Sequence, residues 1–362
     1  MKIEYENLHK LNKPFQEAFQ RELIGFMEKG WYILGEQVSA FEKEFTDYNQ
    51  VRHCIGVANG LDALILSFKA LDLKEGGEVI VPSNTYIATI LSIVACGLVP
   101  ILSEPDIHTY NIEAGAIKKK INKNTVAIVV VHLYGKSCRM DDIINLAEEN
   151  NLPVVEDCAQ AHGAMYKGKK AGTWGILSAF SFYPPKNLGA LGDAGCIVTD
   201  NDELAQKLFA LRNYGSEKKY HNKYIGLNSR LDEIQALFLR IKLKSLDDIN
   251  NHKRKLAAIY FKELTAGFIL PAINPDYHDV FHIFNIRHAE RDRLKKYLED
   301  NGIRTEIHYP VPPNQQVAYR HFFKESYPVS EEIHQTTLSL PVSFFHTPKD
   351  IEYVTACLNQ FQ

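Results

Sequence analysis

The stretch Phe180-Ser181-Phe182-Tyr183-Pro184-Pro185-Lys186-Asn187-Leu188-Gly189-Ala190-Leu191-Gly192-Asp193-Ala194-Gly195 decides how the rest of the chain is read. An apolar, strand-like run enters it. Proline cannot donate to a sheet ladder, so Pro184-Pro185 turns the backbone out of the sheet just before Lys186. Gly189, Gly192 and Gly195 then permit tight turns and close backbone approach to a bound group. A lysine placed so is either a solvated loop cation or a nucleophile presented beyond a strand end, and the surrounding sequence has to choose.

Upstream of it, short apolar runs alternate with helical segments. Strands are expected at 53–58, 78–82, 99–103, 126–133, 153–156, 178–182 and 196–199, with helices at 61–73, 87–96, 114–121 and 140–150 between most of them. That alternation marks an α/β fold with a mainly parallel, seven-stranded sheet covered on both faces. Ligands in such folds bind beyond the carboxyl ends of the strands. Residues 1–50 read as amphipathic helices bearing Phe15, Phe19, Phe26, Phe41 and Phe45, interrupted by an apolar loop at 30–35. Downstream, a helix at 202–213 leads into a polar loop at 214–228. Helices follow at 231–250 and 253–264, the first with an apolar stripe through Leu231, Ile234, Leu237, Ile241 and Leu246. A smaller α+β unit closes the chain, with strands expected at 281–286 and 305–309 and helices at 292–301 and 348–361. The expected division is a large domain over 1–245 and a small one over 246–362.

The 362 residues carry 41 Lys and Arg against 44 Asp and Glu, a net charge of −3 that gives no nucleic-acid footprint. The triplets Lys118-Lys119-Lys120 and Lys253-Arg254-Lys255 read as solvated helix faces. Six scattered cysteines without a Cys-x-x-Cys pair suit buried free thiols in a reducing compartment. No signal-peptide pattern opens the chain, and no run approaches the roughly 20 apolar residues of a membrane span. The expectation is a cytoplasmic protein with neither nucleic-acid nor membrane partner.

Three further stretches carry chemistry. Ala58-Asn59-Gly60-Leu61-Asp62 passes from a strand through glycine into a helix, whose first amides would hold an anion, most naturally a phosphate. Gly135-Lys136-Ser137 is no P-loop, because the required glycine five positions earlier is Val130. Val154-Val155-Glu156-Asp157 ends a buried strand in two acids, with Gln160 and His162 close behind; too few ligands are local for a metal site, and none is expected. Tyr224 to Leu231 is a polar loop entering the long helix. Taken with Lys186, these parts suit pyridoxal phosphate, which needs an anion site, a lysine for its aldehyde, a carboxylate for its pyridine nitrogen and a flat group over its ring. Burial would lower the lysine's pKa and free its amine.

With these motifs, and with Pro82-Ser83-Asn84-Thr85-Tyr86, Asn228-Ser229-Arg230 and Ile307-His308-Tyr309-Pro310, the chain resembles the DegT/DnrJ/StrS sugar aminotransferases of the aspartate aminotransferase fold (fold type I). The resemblance implies that Lys186 bonds to the coenzyme aldehyde and shuttles the proton. It implies that Asp157 faces the pyridine nitrogen and Gln160 the ring hydroxyl, and that Tyr86 stacks on the ring. Gly60, Leu61 and Ser181 would hold the phosphate, Leu61 only through its backbone because many relatives have Ser or Thr there. Asn228 would reach the phosphate of the neighbouring subunit, which implies a homodimer with shared sites. Tyr183, Tyr224, Arg230, His308 and Tyr309 fall in the sugar-nucleotide pocket by the same resemblance. The run Ser181 to Ala190 matches relatives that aminate C-3 of nucleotide-linked 3-keto-6-deoxyhexoses, so a dTDP-linked keto sugar and L-glutamate as amino donor are expected. Amination at C-4, or a cofactor-binding regulator without turnover, are the alternatives.

Overall fold

The computed structural model describes residues 2–265 and 267–361. Its centre is a seven-stranded sheet of β1 (His53–Val57), β2 (Glu78–Pro82), β3 (Val99–Ser103), β4 (Thr125–Val131), β5 (Val154–Asp157), β6 (Leu177–Ser181) and β7 (Gly195–Thr199), in the order β1-β7-β6-β5-β4-β2-β3. All seven expected strands are there. Only β7 runs against its neighbours, pairing antiparallel with β1 and β6, while the other pairs are parallel.

Strand alternation sorts the side chains onto two buried faces. Val79, Val81, Ala127, Val129, Ala179 and Ile197 point to the helices Gly60–Ala70, Ile87–Ala95 and Asp202–Leu211. Ile80, Ile128 and Val130 point the other way, onto helix Met140–Glu149. Phe180 shares that second side and meets Phe45 edge-on at 5.1 Å; just beyond the strand, Phe182 meets Phe41 at 5.3 Å. Two of the phenylalanines foreseen in the N-terminal helices, Phe41 and Phe45, thus cover the strand that leads to Lys186, while Phe15, Phe19 and Phe26 pack against Leu237, Phe238 and Ile249. Ser181, between Phe180 and Phe182, is turned to the opposite side.

The C-terminal part pairs β8 (Phe284–Arg287) antiparallel with β9 (Thr337–Leu340). Helices Leu246–Glu263, Arg291–Asp300 and Pro348–Leu358 enclose its core of Leu256, Tyr260, Phe284, Leu294, Leu338 and Ile351, which Ile3 joins from the N-terminus. Three expectations need correction. The helix expected over 231–250 breaks at Ser245 into Glu233–Leu243 and Leu246–Glu263, and the second runs on through 253–263. The strand expected at 305–309 is a single bridge, Glu306 to Ser339. Its acceptors are taken by side chains instead: the His308 carbonyl accepts the Tyr134 hydroxyl, and the Tyr309 carbonyl lies 2.6 Å from His334 Nδ1. The strand the small unit does use, β9, was not foreseen.

No described helix is long and apolar enough to cross a membrane. The described cysteines are all free and, Cys96 apart, buried.

Candidate active site

The parallel strands all end at one edge of the sheet, and there a cavity of about 660 Å³ opens. Gly60 and Leu61 reach it after β1, Tyr86 after β2, Leu133 after β4, Asp157 and Gln160 from β5, and Ser181, Tyr183 and Lys186 from β6. His308 and Tyr309 close it from the C-terminal part. Ten of the thirteen residues expected in the site line this one cavity.

The anion site expected at the start of helix Gly60–Ala70 is built by close approach. Asn59 caps helix Gly60–Ala70, its side chain accepting from Asp62 N and its carbonyl from Ala63 N. Of the four amides a helix start leaves open, those of Gly60 and Leu61 remain to meet an anion. Gly60 lies so near the end of β6 that a Cβ would meet Ser181 Cβ at 2.6 Å, and a Cβ on Gly195 would meet Asn59 C at 2.5 Å. Two glycines therefore bring the helix start, Ser181 and β7 together.

The lysine loop is held as firmly. Lys186 N donates to Tyr183 O at 2.9 Å, and Ala190 N returns to Phe182 O at 2.8 Å. A Cβ on Gly189 would meet Pro184 O at 2.1 Å, so only glycine fits. Two buried lysines clamp the loop from behind. Lys242 Nζ donates to Gly189 O at 2.6 Å, and Lys253 Nζ to Asn187 Oδ1 at 3.0 Å, while Asn187 donates onward to Val280 O and Asn250 Oδ1. Lys253, expected on a solvated face, is 4% exposed. Neither clamp carried a sequence signal, because a lysine in an amphipathic helix reads as solvent-facing by default. Burial pushes the Lys186 amine down to about 8, against the pull of the Asp157 charge. Neutral amine is therefore present near neutrality.

Asp157 sits 7% exposed at the end of β5. Its Oδ2 accepts the Thr89 hydroxyl at 2.9 Å and its Oδ1 the Ala159 amide at 3.1 Å. Burial raises its pKa; those two donors and Lys186 pull the other way. Glu156, its neighbour, faces away from the cavity and accepts from His132, Gly172, Trp174, Gly175 and Ser178. His162 is buried beside Phe180 and Phe182, which holds its ring down to about 3. The three groups weighed as metal ligands in the sequence thus part company. His132, Glu156 and Cys158 do cluster. There His132 Nδ1 accepts the Cys138 amide, so its Nε2 proton goes to Glu156, which ties the group up as scaffold.

A family profile described as the DegT/DnrJ/EryC1/StrS aminotransferase family matches residues 14–359. The chain belongs to that family. It is 50% identical over 360 residues, 99% of each chain, to a dTDP-3-amino-3,6-dideoxy-alpha-D-galactopyranose transaminase of Aneurinibacillus thermoaerophilus. It is 43% identical to a dTDP-3-amino-3,4,6-trideoxy-alpha-D-glucose transaminase of Streptomyces venezuelae, over 87% of this chain and 84% of that one. The crystal structure of S. venezuelae DesV in complex with a ketimine intermediate superposes with a TM-score of 0.97 at 39% identity, covering 99% of this chain and 98% of that one. The protein is a pyridoxal-phosphate-dependent aminotransferase of the aspartate aminotransferase fold.

The aminotransferase's own residues fit that cofactor. The open amides of Gly60 and Leu61 with Ser181 suit its phosphate, the Asp157 carboxylate its ring nitrogen and the Lys186 amine its aldehyde. Tyr86, 52% exposed at the head of helix Ile87–Ala95, lies 5.0 Å from the Tyr309 ring across the cavity. Gln160 is held at both ends, Oε1 accepting Tyr134 N at 2.6 Å and Nε2 donating to the Tyr309 hydroxyl at 2.9 Å. Tyr224, Asn228 and Arg230 do not line this subunit's cavity. Asn228 is exposed, with its backbone bridged to Asn213, and Arg230 donates to Asn213 Oδ1 at 2.9 Å. Tyr224 and Arg230 lie with Asn228 on the 214–228 loop and its exit, so within one subunit they stand apart from Tyr183. The polar cavity residues missed in the sequence include Thr85, Asp193 and His282, and Thr89, buried behind Asp157, was missed with them; a single hydroxyl, acid or imidazole gives no pattern to find.

Proposed function

We propose that the enzyme moves an amino group from L-glutamate to C-3 of a dTDP-linked 3-keto-6-deoxyhexose, as a homodimer with shared active sites. The observation that carries the reaction type is geometric: a glycine- and proline-shaped loop fixes Lys186 against the cavity that also presents Asp157, and burial eases its amine toward the neutral form. Half-identity over the whole chain to a transaminase named for a 3-amino-3,6-dideoxyhexose supports the sugar. Bound in the cavity, the cofactor supplies an electron sink for the carbon that gains or loses nitrogen. Asp157 holds the proton on the ring nitrogen, and Lys186 Nζ carries the proton between the two carbons concerned. Tyr183 and His308, with Tyr309, form the wall open to the sugar; burial holds the His308 ring down to about 4, so it meets a hydroxyl as a neutral donor or acceptor. Asn228 would complete the phosphate site of the partner subunit. The exposure of Asn228, and of Ile225 at 88% and Tyr220 at 85% in the same loop, supports an interface there.

Incubation with L-glutamate and dTDP-linked 3-keto-6-deoxyhexose epimers tests the reading by product mass and stereochemistry. A 3-amino product on one epimer is expected. Amination of a 4-keto sugar only, or cofactor binding with no transfer to any keto sugar, overturns it. Lys186→Ala abolishes transfer and the visible absorbance of lysine-bound cofactor, with cofactor-saturated wild type as the reference.

A further inference from the structure

Asp157 has one side-chain partner, and that partner belongs to a buried chain of hydroxyls. Thr89 Oγ1 lies 2.9 Å from Asp157 Oδ2, and Thr85 Oγ1 lies 2.8 Å from Thr89 Oγ1. Both threonines are buried, at 0% and 1% exposure for Thr89 and Thr85. Proton counting sets the direction of the chain. An ionised carboxylate only accepts, so Thr89 spends its single proton on Asp157, and the Thr89 oxygen must accept from Thr85. If Asp157 were protonated the chain could run backwards, with Asp157 donating to Thr89 and Thr89 to Thr85. The hydroxyl order and the charge on Asp157 are therefore coupled. Thr89 stands three positions after Tyr86, in the first turn of the helix whose start Tyr86 marks, so one element delivers both the aromatic wall and the hydroxyl.

We propose that Thr89 is a positioning residue of the transamination: its hydroxyl, set by Thr85 behind it, holds Asp157 charged and oriented for the ring nitrogen of the cofactor. The inference rests on the reading of Asp157 as that nitrogen's partner. Burial works against the charge on Asp157, and a hydrogen bond to a charged group is among the stronger single interactions available to oppose it. The other side chains of Asp157's surroundings that titrate are Lys186, His132, Cys158 and Tyr309. None of them donates a hydrogen bond to the carboxylate, so none replaces Thr89.

The test uses holoenzyme with Thr89→Val, Thr89→Ser, Thr85→Val and Asp157→Asn. Three quantities are read: the dissociation constant of pyridoxal phosphate by equilibrium dialysis, the pH midpoint of the bound cofactor's visible absorbance, and the rate of the glutamate half-reaction. Thr89→Val is nearly isosteric, so its expected loss of about 10- to 100-fold in the half-reaction reflects the missing hydrogen bond to a charge. The absorbance midpoint moves upward, because less positive charge on the ring eases protonation of the lysine-linked nitrogen. Thr89→Ser recovers most of both effects, and Thr85→Val shifts them the same way by less. A half-reaction within about twofold of wild type and an unmoved midpoint in Thr89→Val overturn the proposal, since a lost charge-assisted bond cannot be that silent. Should Thr89→Val not fold, Thr85→Val decides by the same midpoint. If Asp157→Asn also leaves the midpoint unmoved, the reading of Asp157 fails; if Asp157→Asn moves it and the threonine variants do not, the proposal about Thr89 fails alone.

Discussion

The two faces of the end of β5 hold two carboxylates one residue apart in opposite situations. Behind the strand, Glu156 is fully buried in a closed socket: its Oε1 accepts from the amides of Trp174 and Gly175 and the Ser178 hydroxyl, its Oε2 from His132 and the Gly172 amide. In front, Asp157 accepts two hydrogen bonds and turns its remaining capacity to a cavity. The donors around Glu156 outweigh its burial and lower its pKa, whereas burial wins at Asp157 and raises it. A saturated acid is part of the frame. An acid left short of donors beside a cavity is waiting for a partner, and a pyridinium is one.

The largest expected effect breaks the comparison on the front face. Asp157→Asn removes a preorganised charge and lowers turnover by about 100- to 1,000-fold in steady-state assays with saturating cofactor. Because the charge is disfavoured in the folded apoprotein, the same substitution leaves the denaturant midpoint of the apoprotein unchanged or higher. Glu156→Gln does the reverse. Its amide nitrogen must face at least two donors now received by an oxygen, at about 1–3 kcal/mol for each one stranded. Chemical denaturation is expected to show a loss of about 2–6 kcal/mol on that count, with cofactor binding retained in the molecules that remain folded. If Glu156→Gln instead cost activity without stability, the two faces would not differ as described.

The division of labour between these acids was only half legible in the sequence. Glu156-Asp157 at the end of an apolar run marks a strand terminus, and strand period places the two side chains on opposite faces. Which of them faces the ligand follows from what covers each side, and that is decided by residues as distant as Thr89, His132 and Gly172. The sheet itself was readable because each strand is a near-continuous apolar run flanked by turn residues. The loop that carries Lys186 and the turn at Gly60 were readable because proline and glycine write backbone requirements into the sequence. Lys242 and Lys253 were not, since their burial depends on carbonyls and amides contributed by the lysine loop and by the C-terminal part. The strand expected at 305–309 does not form as such, because carbonyls of that segment serve Tyr134 and His334.

The smallest expected effect is a difference in sign with pH. Glu156 titrates lower folded than unfolded, so its stabilisation is fully present above its usual value near 4.5 and is lost as pH falls through the folded value. Asp157 titrates higher folded than unfolded. In the window above its usual value near 3.8 the folded apoprotein holds more protons, so stability falls as pH rises through that window. Denaturant midpoints of the apoprotein measured from pH 7 down to the acid limit separate the two. The gap between wild type and Glu156→Gln narrows as pH falls, because wild type loses what the variant already lacks. The gap between Asp157→Asn and wild type also narrows on acidification, but from the other side, because protonation relieves wild type of a cost the variant never carried. Cofactor sharpens the contrast further. On the proposed reading, pyridoxal phosphate in the cavity gives Asp157 its partner, so the Asp157→Asn advantage at neutral pH should vanish or invert, while the Glu156→Gln deficit stays. A Glu156→Gln deficit that cofactor erased would place that acid in the binding site after all.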